Sequence, residues 1–158
     1  MNIAKGLDEI SSYIPSRNSG TILTIGNFDG IHQGHQQLLS QLVNRSKVLR
    51  SIPAAVTFEP HPLKILAPNL NLKQILTLPE KILLMEDLGI ELLAVLPFTK
   101  NLAHLSPESF IKGVVVEKLQ AHEVHVGPDF HFGHRQEGDT TLLSNLAKRF
   151  GFEVNIMP

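Results

Sequence analysis

"TILTIGNFDGIHQGHQQLL", residues 21–39, decides how this chain folds. Five residues dense in Thr, Ile and Leu read as a buried strand ending at Ile25. Polar and glycine positions follow. Apolar residues then resume at helical spacing, with Leu38, Leu39, Leu42, Val43 and Leu49, so residues 35–50 read as an amphipathic helix. Strand, tight loop, helix start is a layout that binds phosphate. The first helical turn has unpaired N–H groups, and the helix dipole is positive at that end. Gly26 and Gly30 let the chain turn where a side chain would clash, and Gly34 leaves bare backbone for a ligand to approach. His32 and His35 are three apart and face one turn. Two imidazole N–H donors there suit oxygens that gain charge in phosphoryl or nucleotidyl transfer. At this level two other readings stay open. The pair are surface histidines at a helix start, or they are metal ligands joined by His61, Asp29 or Asp129. HxxH lacks the i, i+4 spacing and the glutamate of HExxH. Neither GxxxxGK[ST] nor GxGxxG occurs.

Working outward, the same alternation repeats. Residues 53–59 ("PAAVTFE") form the second expected strand. Thr77 and Glu80 make a capping box that opens a helix through Leu88, with Gly89 as its stop. Residues 91–98 ("ELLAVLPF") are the third strand. Ser106, Pro107 and Glu108 supply an N-cap, a first-turn proline and a dipole-favoured acid for a helix to about Leu119. Residues 122–127 are the fourth strand. Asp139 caps a last helix that ends before Gly151, and residues 152–157 are the fifth strand. Repeated βα units predict a doubly wound, Rossmann-like α/β domain of about five parallel strands. Ligands of such sheets bind beyond the carboxyl ends of the strands. The loops at 26–35, 60–62 and 127–138 all fall on that edge, which predicts a single site. His104, His122 and His125 lie outside those loops and read as structural. No internal repeat, low-complexity tract or linker interrupts the pattern.

The chain has 158 residues, a net charge of −1, and no cysteine. One domain with a real core is expected at this length. There is no Lys/Arg block to suggest nucleic acid. The longest apolar runs are strand-length, so no membrane insertion is expected, and the acidic, amphipathic start is unlike a secretory signal. Without cysteine there are no disulfides, thiolate metal sites or cysteine nucleophile, which fits the cytoplasm.

Four stretches, in order, carry a family resemblance. "GNFDGIHQGH" (26–35) resembles the first signature of the adenylyltransferases that use an (H/T)xGH element, here His32-Gln33-Gly34-His35. With "TFEPHP" (57–62), "LTLPEKILLMEDLGIE" (76–91) and "VGPDFHFGHRQEG" (126–138), the chain resembles the prokaryotic FAD synthetases. These are the FMN adenylyltransferase modules of bifunctional riboflavin kinase/FMN adenylyltransferases. The resemblance covers nearly the whole chain. It implies a nucleotidyltransferase-type fold and the reaction of FMN with ATP and Mg2+ to give FAD and pyrophosphate. The FMN phosphate itself would attack the ATP α-phosphate, so no protein nucleophile is needed. By the matching motif, His32 and His35 would contact the ATP phosphates as catalytic residues. Gly26, Asn27 and Phe28 would shape the nucleotide loop, and Gly34 would pack against the nucleotide. The flavin side would be Phe58, Pro60, His61, Pro62, Leu66, Asp129, Phe130, Phe132 and Arg135. Phe58 and Phe132 offer flat faces to an isoalloxazine. His61 reads as a polar contact or as a structural hydrogen bond. Asp129 stands where some relatives carry Asn. No protein-held metal site is implied.

The family's second signature, a Ser/Thr-rich stretch ending in Ile-Arg, is expected after the fifth strand, and it does not occur up to Pro158. The expectation is therefore an adenylyltransferase domain over residues 1–158, cut before that signature, with the riboflavin kinase domain of the parent protein absent. Slow turnover of the isolated chain follows from this. The alternative is a non-catalytic flavin or adenine-nucleotide binding module on the same fold.

Overall fold

The structure is a computed structural model that describes residues 1–15, 20–29, 33–69 and 76–158. Gly30 and His32, two positions singled out above, lie outside the described residues.

Six parallel strands form one sheet: β1 (Asn2–Lys5), β2 (Thr21–Ile25), β3 (Ile52–Glu59), β4 (Leu92–Pro97), β5 (Ala121–Val126) and β6 (Glu153–Ile156). Their order across the sheet is β1-β4-β3-β2-β5-β6. Strands β2 to β6 correspond to the five expected ones. The addition is β1, which pairs in register with β4 from Asn2 opposite Leu92 to Lys5 opposite Val95. The helices are α1 (Leu7–Ile10), α2 (Gln33–Leu49), α3 (Pro62–Leu66), α4 (Leu78–Asp87), α5 (Lys100–Ala103), α6 (Pro107–Phe110) and α7 (Thr140–Phe150). A π-helical stretch, Ile111–Lys118, continues α6.

Side chains alternate across the sheet with the period of two that strands impose. Leu23, Ile25, Ala54, Val56, Leu92, Ala94 and Leu96 face one core, with Ile10 of α1, Phe110 and Val114 of the α6 helix and Leu143 and Leu146 of α7. Ile22, Ala55, Leu93 and Val95 face the other, with Leu39, Leu42 and Val43 of α2 and Met85 of α4. Strands buried on both faces explain the nearly continuous apolar runs of β2 and β4.

The helix ends follow the signals in the sequence. Thr77 caps α4: its hydroxyl accepts from the N–H of Glu80, and the Glu80 carboxylate accepts from that hydroxyl rather than from the Thr77 N–H of a full capping box. Ser106 caps α6 through Ser109 N–H. Asp139 caps α7 through Leu142 N–H, and Gly151 ends it in the left-handed region at φ 84°. These caps point the loops at the carboxyl edge of the sheet. The chain leaves β2 toward β3 on one side, while β5 arrives on the other, so a crevice opens at this switch point.

Candidate active site

A cavity of about 1000 Å³ occupies that crevice. It lies at the upper end of the range for small-molecule sites, enough for two ligands side by side. Its walls come from the carboxyl ends of the strands: Ile25 of β2 and Gly26 after it, Phe58 of β3, Phe98 after β4, Val126 of β5 and Gly127 after it, and Met157 after β6.

One wall is formed by the residues after β2 and the start of α2, expected from the sequence to be the nucleotide loop. Gly26, Asn27, Phe28, Gly34 and His35 all line the cavity. Phe28 is buried and sits at φ 50°, unusual for a bulky side chain. Its ring reason is local. A Cβ on Gly26 would come within 3.1 Å of that ring, so glycine there makes room for Phe28. The ring meets the imidazole of His35 edge-on at 5.6 Å between centroids. Phe28 therefore holds His35 at the mouth of α2 from behind. The Asn27 carbonyl is fixed by two donors, Lys81 Nζ at 2.7 Å and Thr57 Oγ1 at 3.3 Å. Asn27 Oδ1 is buried with no hydrogen-bond partner among the described residues.

The opposite wall is apolar and aromatic. Phe58, Pro62, Leu66, Phe130 and Phe132 line it, with Asp129 and Arg135 at its rim. Phe130 and Phe132 stack nearly parallel at 5.4 Å, and Phe58 packs edge-on against Phe98 at 5.8 Å. The 127–138 loop keeps its shape through a two-bond bridge between Phe132 and Gly138. A Cβ on Gly133, at φ 79°, would lie 2.7 Å from the Pro107 backbone. Only glycine lets this loop lie against the start of α6.

Two of the sequence candidates do not line the cavity. Pro60, joined to Glu59 by a cis peptide bond, lies beside the wall. His61 lies behind it, buried, with both ring nitrogens occupied. Nδ1 accepts from Leu63 N–H at 3.1 Å and caps α3, and Nε2 donates to Asp29 at 2.7 Å. Of the two readings left open for His61, this geometry is the structural hydrogen bond.

Other lining residues were not singled out by the sequence. His104 and His134 stack at 5.3 Å on the rim, although His104 reads as structural from its position outside the expected loops. His104 comes into reach because α5 turns back over the edge after β4. Phe98 and Phe110 complete the aromatic wall. Lys81 is buried beneath the nucleotide loop. Its signal was present: it falls at an apolar position of the stripe Leu78, Lys81, Ile82, Met85. His125 keeps its structural reading, buried and 3.1 Å from Glu123, which also accepts from Arg45 of α2 at 2.8 Å.

Fold and site together define an α/β protein of the nucleotidyltransferase type, with one cleft at the switch point of a parallel sheet. The FAD synthetase family profile matches residues 14–158, and the chain belongs to that family. It is 33% identical over 155 residues to the bifunctional riboflavin kinase/FMN adenylyltransferase of Escherichia coli (strain K12). It is 32% identical over 154 residues to the protein of the same name from Buchnera aphidicola subsp. Schizaphis graminum. Each match covers 98% of this chain and 48% of the relative, so the chain spans about half the length of these curated relatives. Among solved structures, one described as a macrolide-efflux protein from Streptococcus pneumoniae superposes with a TM-score of 0.82. Its sequence identity is 27%, and the match covers 99% of this chain and 50% of that one. A universal stress protein from Archaeoglobus fulgidus matches with a TM-score of 0.52 at 10% identity, a likeness of fold alone. No helix among the described residues is long and apolar enough to cross a membrane.

Proposed function

We propose that this domain transfers the adenylyl group of ATP to FMN, releasing pyrophosphate and giving FAD. The observation that carries the reading is the pairing of two unlike walls across one cavity. A helix-start loop with Gly34 and His35 and a pair of stacked phenylalanines line the same cavity. The first suits the phosphates of ATP and the second the flat face of a flavin. Membership of the FAD synthetase family supports the same assignment.

In this reaction an FMN phosphate oxygen forms a bond to the α-phosphorus of ATP. The bond from that phosphorus to the bridging oxygen of the β-phosphate breaks, and pyrophosphate leaves with the electron pair. The chain's work is to align the two phosphates and to stabilise charge on the oxygens that gain it. His35 is the described donor placed for this, at the positive end of α2, and His32 is assigned the same role from its motif. Phe58, Pro62, Leu66, Phe130 and Phe132 hold the isoalloxazine, while Arg135 at the rim meets the FMN phosphate. Asp129 puts one carboxylate on the cavity wall, which suits an ion carried on the ATP phosphates with most of its own waters, as magnesium is. Bound there, magnesium would neutralise phosphate charge. We assign a riboflavin kinase domain to the parent protein, following the names of the relatives, and place the reaction in the cytoplasm, which the lack of cysteine in the chain fits.

The test is FAD formation from FMN, ATP and magnesium, followed by chromatography. It is run with the 158-residue chain and with the full gene product, beside calorimetry of each ligand. FAD made by the full product, with both ligands binding the chain, is expected. A chain that binds neither FMN nor ATP overturns the reading.

A further inference from the structure

We propose that buried Lys81 and His61, joined through the partly exposed carboxylate of Asp29, form a tie that locks the nucleotide loop to α3, which makes Lys81 a positioning residue for adenylyl transfer. The inference rests on the function proposed above but adds residues that lie outside the cavity wall. Lys81 is 3% exposed, and lysine is almost never buried to that degree unless paired. Its ammonium donates to the Asn27 carbonyl at 2.7 Å and stands 3.7 Å from Asp29 Oδ1. The other carboxylate oxygen of Asp29 accepts from His61 Nε2 at 2.7 Å. His61 Nδ1 accepts from Leu63 N–H, which leaves Nε2 to donate to Asp29.

The chain of contacts therefore runs from α4, through the turn of the nucleotide loop, to the cap of α3. Each end carries part of the cavity wall: Asn27 at one, and Pro62, Leu63 and Leu66 at the other. None of the three side chains lines the cavity, so the tie acts by placing the segments that do. Stability alone is a poor reason for such an arrangement, since an ion pair at 3.7 Å to a partly exposed carboxylate contributes little. A tie between two ligand-facing segments is a better one. Misplacing reacting groups by an ångström costs about a hundredfold in rate.

Three variants separate this tie from ordinary packing: Lys81→Met, Asp29→Asn and His61→Asn. Asparagine at 61 still caps α3 through Leu63 N–H but is too short to reach Asp29 as well. Backbone amide exchange over Asn27–Asp29 and Pro62–Leu66, read by mass spectrometry, needs no ligand. Calorimetry with a non-hydrolysable ATP analogue and with FMN reads the site. In His61→Asn, exchange should rise together in both segments. In Lys81→Met, affinity for the ATP analogue should fall at least about tenfold. The double variant Lys81→Met/His61→Asn should lose no more than the worse single one, because the residues act as one unit. His125→Gln, at a buried pair remote from the loop, is the control for lost stability and should leave the affinity as it is. The tie is overturned if Lys81→Met and His61→Asn bind the ATP analogue and FMN as the wild type does, or if exchange in His61→Asn rises in only one segment. If Lys81→Met fails to fold, the exchange and affinity of His61→Asn decide. A wild-type chain that exchanges as expected but binds neither ligand defeats the proposed function and not the tie.

Discussion

His35 and His125 are both histidines on or beside α2, yet their surroundings assign them opposite work. His35 lines the cavity with its ring against Phe28, whereas His125 is buried in β5 against Glu123. His35→Ala should weaken ATP binding by about 1.5–3 kcal/mol, the cost of one charge-assisted hydrogen bond. That is roughly 10- to 150-fold in Kd. His125→Ala should leave ATP binding alone and lower stability by about 1–3 kcal/mol, since a buried carboxylate loses a partner. Calorimetry and denaturant unfolding on the two variants separate these effects. Equal, small losses of ATP affinity would return His35 to the status of a surface residue. Gly133 is a different kind of residue argument. Its φ of 79° and the Pro107 backbone 2.7 Å from a would-be Cβ leave no room for a methyl group. Gly133→Ala should cost about 1–3 kcal/mol of stability. It should also weaken FMN binding, because the stacked pair Phe130–Phe132 precedes it in the same loop. An unfolding midpoint equal to that of the wild type would mean the loop relaxes freely.

At the scale of elements, helix ends carry more information than helix middles. Asp139 accepts from Leu142 N–H at 2.8 Å and starts α7, whose Leu143, Leu146 and Ala147 close one core. Asp139→Ala should cost about 0.5–2 kcal/mol. The same residue follows the cavity loop directly, so the loss should appear as faster amide exchange at residues 127–138 as well as in α7. Loss confined to α7 would separate the loop from its anchor. The caps at Thr77, Ser106 and Asp139 were readable because they rest on contacts within one turn. Strand β1 was not. Its four residues precede α1 after a single glycine, so a strand at the sheet edge and a short helix blend into one amphipathic run. Helix α3 was hidden in a proline-rich loop, since its N-cap is a histidine, outside the usual set of capping residues. Lys81 stands in the apolar stripe of α4, but the partner that holds its ammonium cannot be read from that helix. In each case the deciding contact lies far away in sequence: β4 for β1, Asp29 for His61, Asn27 for Lys81. The strand–loop–helix order around residues 21–49, in contrast, was readable because its signals lie side by side in the sequence.

At the scale of the whole molecule, the cavity belongs to no single element. Its walls come from the carboxyl ends of β2, β3, β5 and β6 and from the loop after β4, so the sheet must be assembled before either wall exists. A ligand that touches both walls therefore binds the folded state and not the unfolded chain. Its stabilisation follows mass action and reaches about 2.7 kcal/mol at one hundred times Kd. For a domain of this size that corresponds to a rise in Tm of roughly 5–11 °C. FAD is the informative ligand, because it joins an adenylyl group to a flavin. If the helix-start loop and the phenylalanine wall form one site, binding one half holds the other at high local concentration. At one fixed concentration FAD should then raise Tm more than either AMP or FMN, and more than the two added together. Truncating Phe132 to alanine should remove the advantage of FAD over AMP while leaving the smaller shift from AMP in place. The measurement is a set of thermal unfolding curves with each ligand. FAD performing no better than the better of its halves would mean that the two walls do not serve a single reaction.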